Sequence, residues 1–170
     1  FVHMGKPNMA AIKYAIKREN SQGPIIVRSG LDGEIKNNGV ARYRQLNSKH
    51  LKNPSAARIS RNIMHLSVKT NQSNIIVSQT AATSIFSQDK ELKPKSTTVI
   101  KRKKAIFQDF KIQVQPGKEY EVEKIVSVCS SNHLLSENTR TASIKKIKQK
   151  PRFKNLSRSH KKSWSALWKR

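Results

Sequence analysis

The sequence predicts a mostly irregular, disordered basic chain with short helices and a few short strands, organised around one strand-based element at residues 119–128. Three observations predict this. Lysine and arginine number 35 against 10 aspartates and glutamates, and the resulting net charge of +25 opposes compaction by self-repulsion. Hydrophobic residues make up 35% of the chain, a thin reserve against the entropy lost when a chain orders. One stretch, Glu119-Tyr120-Glu121-Val122-Glu123-Lys124-Ile125-Val126, has a period of two. There Tyr120, Val122, Lys124, Val126 and Val128 share one face of an extended chain, and Glu119, Glu121 and Glu123 share the other. The chain accordingly divides into a basic, weakly structured region (1–88), a basic linker (89–118), the strand element (119–128) and a basic C-terminal tail (129–170).

Taken in order, residues 1–20 carry a helical signal. Met9, Ile12 and Ile16 recur at three- and four-residue spacing after Pro7-Asn8, with Asn8 as the cap. Gly23-Pro24 ends that segment, and Ile25-Ile26-Val27 reads as a short strand. Asp32-Gly33 and Asn38-Gly39 are hairpin signals. Tyr43 between Arg42 and Arg44 suits stacking on a base beside a phosphate contact, while the plainer reading is a solvated basic linker. Pro54-Ser55-Ala56-Ala57 opens a predicted helix through Met64 and Leu66. Asn74-Ile75-Ile76-Val77 reads as a strand, within a Ser/Thr/Gln/Asn-rich stretch from Thr70 to Gln88 that reads as a disordered spacer.

The first dense basic cluster is Lys101-Arg102-Lys103-Lys104, preceded by Lys93-Pro94-Lys95. Its composition fits a nuclear import signal or contacts to a nucleic-acid backbone. Ile106, Phe107 and Phe110 form a small apolar knot, and Pro116-Gly117 marks the turn into the strand element. The second cluster holds Lys145, Lys146, Lys148, Lys150 and Arg152, and no acidic residue follows Glu137. Thr139–Gln149 is predicted as a helix stopped before Pro151. Trp164 and Trp168 share one helical face.

No catalytic constellation stands out. The five histidines are scattered, and none has ligand spacing to another histidine or to Cys129. Cys129 and His133 are an i, i+4 pair only if that segment is helical, and no orienting carboxylate accompanies them. A lone cysteine excludes a disulfide within the chain and a cysteine-rich zinc site. No run of about 18 apolar residues is present, so no transmembrane helix is expected. The chain reads as no enzyme by itself, without cofactor, metal or membrane partner.

Glu119, Tyr120, Val122, Glu123, Lys124 and Ile125 match the E-Y-x-V-E-K-I opening of chromodomains, the methyl-lysine readers of the heterochromatin-protein and Su(var) class. The stretch resembles the first strand of that small SH3-like β fold, and the resemblance stops after Ile125. It implies that Tyr120 is one wall of an aromatic cage and that the backbone around Val122 pairs with a histone tail. The expected function is then a nuclear, chromatin-associated protein with an incomplete methyl-lysine reader and basic nucleic-acid-binding arms. The alternative is a basic RNA-binding structural protein of a ribosome or mitochondrial ribosome.

Overall fold

The computed structural model describes residues 1–36, 49–132 and 138–169. Nine strands and two helices are laid out among them in chain order. The strands are β1 (Met9–Lys17), β2 (Gly23–Asp32), β3 (Leu51–Arg58), β4 (Ile63–Thr70), β5 (Ile76–Ser87), β6 (Lys90–Glu91), β7 (Ser96–Lys101), β8 (Ala105–Val114) and β9 (Glu119–Ser130). The helices are α1 (Thr139–Lys148) and α2 (Phe153–Trp168). A six-stranded antiparallel sheet runs β1-β9-β5-β4-β3, with β6 paired to β5, and a three-stranded sheet runs β2-β8-β7. The expectation of an irregular, disordered chain is therefore corrected to an antiparallel sandwich. All four stretches drawn from the sequence contribute strands or helices to it.

β9 sits inside the larger sheet, laddered to β1 on one side (Tyr14 opposite Val122) and to β5 on the other (Ala82 opposite Ile125). Its period-two pattern survives, but both of its faces are covered. Tyr120 and Val122 point inward and pack with Ile85, Phe110, Ile112 and Val114. The opposite face carries Glu123, Ile125, Ser127 and Cys129, all buried. Ile125 packs there with Met9, Ala11, Ile147 and Leu156, between the larger sheet and the helices. A strand buried on both faces loses the apolar–polar contrast of a half-solvated one, which is why Glu123 looked like a surface residue. The strand also runs on through Ser130, past the point where the family resemblance stops.

The other end of the sandwich interior is filled by Leu31, Met64, Leu66, Val68, Ala81 and Ile106. The two sheets are also joined by polar contacts. Thr83 donates its hydroxyl to the Ser29 hydroxyl at 2.8 Å, and Lys124 Nζ donates to the Gly30 carbonyl at 2.6 Å. Burial pushes the Lys124 ammonium pKa below the ordinary lysine value.

Several local expectations are corrected. Residues 9–17 form a strand rather than a helix, because their hydrogen bonds are taken by β9. Residues 54–66 do not form a helix but lie in the hairpin β3–β4. The supposed spacer 70–88 contains β5, a central strand. β2 does not turn back at Asp32-Gly33 but pairs with β8, and Gly33 N–H donates to the Lys104 carbonyl at 2.8 Å. Ile25-Ile26-Val27 does lie in a strand, β2. The helix expected at 139–149 is α1, capped at its start by the Asn138 side chain, which accepts from Arg140 N–H at 2.9 Å. Trp164 and Trp168 do share a helix face on α2, their rings stacked with centroids 6.3 Å apart. Asn38-Gly39, Arg42-Tyr43-Arg44 and His133 lie outside the described residues.

Candidate functional site

The connection between α1 and α2 crosses the outer face of the larger sheet at Arg152. As the residue preceding α2, Arg152 is extended, so its side chain leaves the helix and reaches back to β9. Its Nε donates to Glu123 Oε2 at 3.0 Å and its Nη2 to Oε1 at 3.2 Å. The Phe153 backbone N–H adds a third bond to Oε2 at 3.1 Å. The Glu123 side chain is 4% exposed, so the carboxylate is held by a fork and a helix N-terminus, away from solvent. The hydrogen bond to Glu123 raises the already high Arg152 pKa. The guanidinium carbon also lies 3.7 Å from the centroid of the Phe86 ring.

Two clefts open on either side of this clamp. One, of about 540 Å³, lies under the first turns of α2 and is lined by Lys13, Glu121, Glu123, Arg152, Arg158 and Lys161, among others. The other, of about 590 Å³, runs between the α1–α2 junction and the loops after β3 and β6. Its walls are mostly apolar, with Ile63, Ile85, Phe86, Phe110 and Ile147 among them, and cations line its rim.

A separate polar cluster binds α1 to the sheet. His65 Nδ1 is 2.9 Å from the Thr80 hydroxyl and Nε2 is 2.8 Å from the Ser67 hydroxyl. Ser67 meets Ser78 at 2.7 Å, Ser78 meets Thr139 at 2.9 Å, and Thr80 meets Ser143 at 2.8 Å. Burial, with the nearby Arg140 charge, lowers the His65 pKa to about 4. The ring is therefore neutral near pH 7, one nitrogen donating and the other accepting. Among the described residues no carboxylate touches it, so the cluster is a structural chain of hydroxyls without the third member of a nucleophilic triad.

The residues singled out from sequence separate into three places. Tyr120 and Val122 are in the sandwich interior, and Tyr120 Oη accepts from Gln115 N–H at 3.1 Å. Lys101 ends β7, and Arg102, Lys103 and Lys104 occupy the β7–β8 connection. There the Arg102 guanidinium lies 5.3 Å from the Phe107 ring centroid, and Lys104 Nζ is 3.3 Å from Glu34. Lys145 and Lys146 are on α1, whereas Lys148, Lys150 and Arg152 gather at the larger cleft. Glu123, Arg61 and Lys93 went unnoticed as site residues. The one available signal was an acid at the centre of the most regular strand. Cys129 is a buried free thiol on β9. Among the described residues no three His, Cys, Asp or Glu side chains cluster as metal ligands, and no helix is long and apolar enough to cross a membrane.

Fold and site together define an antiparallel β-sandwich domain with a two-helix flank locked on by one buried ion pair. The family model for glycosyl hydrolase family 65, N-terminal domain, matches residues 1–167, and the chain belongs to that family. An uncharacterized glycosyl hydrolase of Mycobacterium tuberculosis, found in strains CDC 1551 and H37Rv, is 26% identical over all 170 residues. The chain spans 13% of the length of those relatives. Its fold is shared with a putative kojibiose phosphorylase from human microbiome, with a TM-score of 0.73 at 18% identity over 95% of this chain and 20% of that one.

These findings overturn the chromodomain resemblance and with it the chromatin and histone reading. Six matching residues reflect a shared strand chemistry, aromatic and β-branched residues alternating with glutamates, and carry no domain with them. The ribosomal alternative, the nucleic-acid partner and the reading of the chain as no enzyme fall with the same match. A net charge of +25 is a statement about solubility and attraction to anions, and does not specify a fold.

Proposed function

We propose that this chain is the sandwich module of an enzyme that breaks glycosidic bonds in small saccharides, by hydrolysis or by phosphorolysis. The observation that carries the reading is the family match across residues 1–167. The names of the relatives, a glycosyl hydrolase and a putative phosphorylase of kojibiose, supply the reaction class.

The carboxylates of this module support a division of labour within that enzyme. Glycosidic cleavage commonly needs two carboxyl groups roughly 5–10 Å apart, free to donate and accept protons or to attack. Here Glu123, Asp109, Glu121, Glu34 and Glu19 are each committed to an ion pair. Glu123, the most buried of them, is neutralised by Arg152 and faces the helix flank. The module then contributes a rigid platform and its clefts, and the acid–base pair comes from elsewhere in the enzyme.

The test is turnover by the whole enzyme on kojibiose and other glucosyl disaccharides, with and without inorganic phosphate, followed by chromatography of the products. Disaccharide consumption is expected, with a sugar phosphate formed if the reaction is phosphorolytic. No cleavage of any glycoside would overturn the reading. In that enzyme Glu123→Gln is expected to keep kcat within about 3-fold per folded molecule, since loss of a catalytic carboxylate costs on the order of 10²-fold or more.

A further inference from the structure

We infer that the cleft beside α1 is a binding site for a phosphorylated monosaccharide. Its volume of about 590 Å³ falls within the range of small-molecule pockets, roughly 300–1,000 Å³. The floor is apolar, as the carbon–hydrogen face of a pyranose ring requires. One wall offers neutral polar groups: Ser60 Oγ and Asn62 Oδ1 are 3.3 Å apart, as are Asn62 Nδ2 and Ser84 Oγ. Bonds that long are readily exchanged for bonds to sugar hydroxyls. Thr97 Oγ1, on the same lining, is buried without a hydrogen-bond partner among the described residues.

The rim supplies the anion site. Lys93, Lys148 and Lys150 line the cleft, and none of the three side chains has a hydrogen bond or ion pair within the described structure. The two carboxylates on the lining are both engaged, Glu123 by Arg152 and Glu91 as acceptor from the Ser84 hydroxyl at 2.8 Å. Lys150 adds a second observation. Its φ of +50° is left-handed, and its N–H closes α1 on the Ile147 carbonyl at 3.0 Å. Glycine is the residue that normally fills such a helix-terminating position. A lysine held there at a conformational cost of about 1 kcal/mol points to a use for its charge.

A phosphate met by these lysines gains charge-assisted hydrogen bonds. The ring then lies over the apolar floor, and its hydroxyls meet the Ser60–Asn62–Ser84 edge. The inference does not depend on which glycosidic chemistry the whole enzyme performs.

The experiment is calorimetric titration of the full chain with glucose 1-phosphate, glucose and inorganic phosphate at fixed ionic strength. The test variant combines Lys148→Gln with Lys150→Gly, the latter relieving backbone strain so that folding is preserved. The control combines Lys101→Gln with Lys103→Gln, which removes equal charge from the β7–β8 turn. Saturable binding of glucose 1-phosphate is expected, tighter than that of glucose or phosphate. The test variant should lose about 10-fold or more in affinity, and the control should stay within about 2-fold. Equal losses in both variants would mean non-specific attraction to a cationic protein and overturn the inference. Absence of saturation, or phosphate binding as tightly as the ester, would do the same. Turnover is measured separately, so failure to cleave glycosides removes the proposed function without touching this site.

Discussion

Arg152 and Glu123 form a forked ion pair with N–O distances of 3.0 and 3.2 Å, and the Arg152 guanidinium lies over Phe86. One residue of the interhelical connection thereby fastens α2 to the middle of β9. The carboxylate is buried, so removing its partner should cost far more than removing a surface charge. Arg152→Ala is expected to lower unfolding free energy by about 3 kcal/mol, measured by urea denaturation. Glu123→Gln keeps shape and hydrogen-bonding capacity and should cost less. A loss below about 1 kcal/mol in Arg152→Ala would show that the pair is dispensable.

His65 makes stability depend on pH. Its pKa is about 4 in the folded chain against an ordinary 6.5, so the folded state resists protonation. Above pH 6.5 both states are neutral there and the full stability is present. As pH falls from 6.5 toward about 4 the unfolded chain takes up a proton that the folded chain refuses, and stability declines. We expect a loss of about 3 kcal/mol across that window, a fall in Tm of roughly 6–12 °C. His65→Gln should flatten this part of the profile; an equally steep profile in the variant would assign the dependence to other groups.

Gly30 lies directly opposite Phe107 in the β2–β8 ladder of the three-stranded sheet, and the Phe107 ring covers it. A Cβ there would stand 2.6 Å from Phe107 Cε1. Gly30→Ala should therefore destabilise by about 1–3 kcal/mol through displacement of the ring. Nothing stands within 4 Å of a Cβ at Gly117, but its φ of +71° is costly for an alanine. Gly117→Ala should cost about 1 kcal/mol through backbone strain alone. Comparing thermal melts of the two variants separates crowding from conformation.

Asn138 caps α1 with its side chain. Asn138→Ala is expected to cost about 1 kcal/mol. Because α1 carries Thr139 and Ser143 onto the β5 hydroxyls, the loss should appear first as faster amide exchange in the first turn of α1.

Two elements were legible locally. The alternation at 119–128 marks β9, and Pro151 bounds the helix at 139–149. Others were hidden for specific reasons. In β5 the residues facing α1 include Ser78 and Thr80, both fully buried. Their packing is by hydroxyl–hydroxyl bonds, so the strand reads as a polar spacer. In β1, Met9, Ile12 and Ile16 fit a helical spacing by coincidence, since only the ladder to β9 fixes the extended form. The cleft was equally hidden: Arg61 and Lys93 are far in sequence from Lys148 and Lys150, and the lysines were noticed as charge alone.

By itself the sequence determined the period-two strand β9, the span of α1, the helical face shared by Trp164 and Trp168, and a strong excess of positive charge. Those are properties of neighbours along the chain. Tertiary structure alone decided which side of each strand is buried, that Glu123 is an interior carboxylate, and that distant lysines share one cleft. Those outcomes follow from strand pairing and sheet stacking, which bring together residues whose separation in sequence carries no periodic signal.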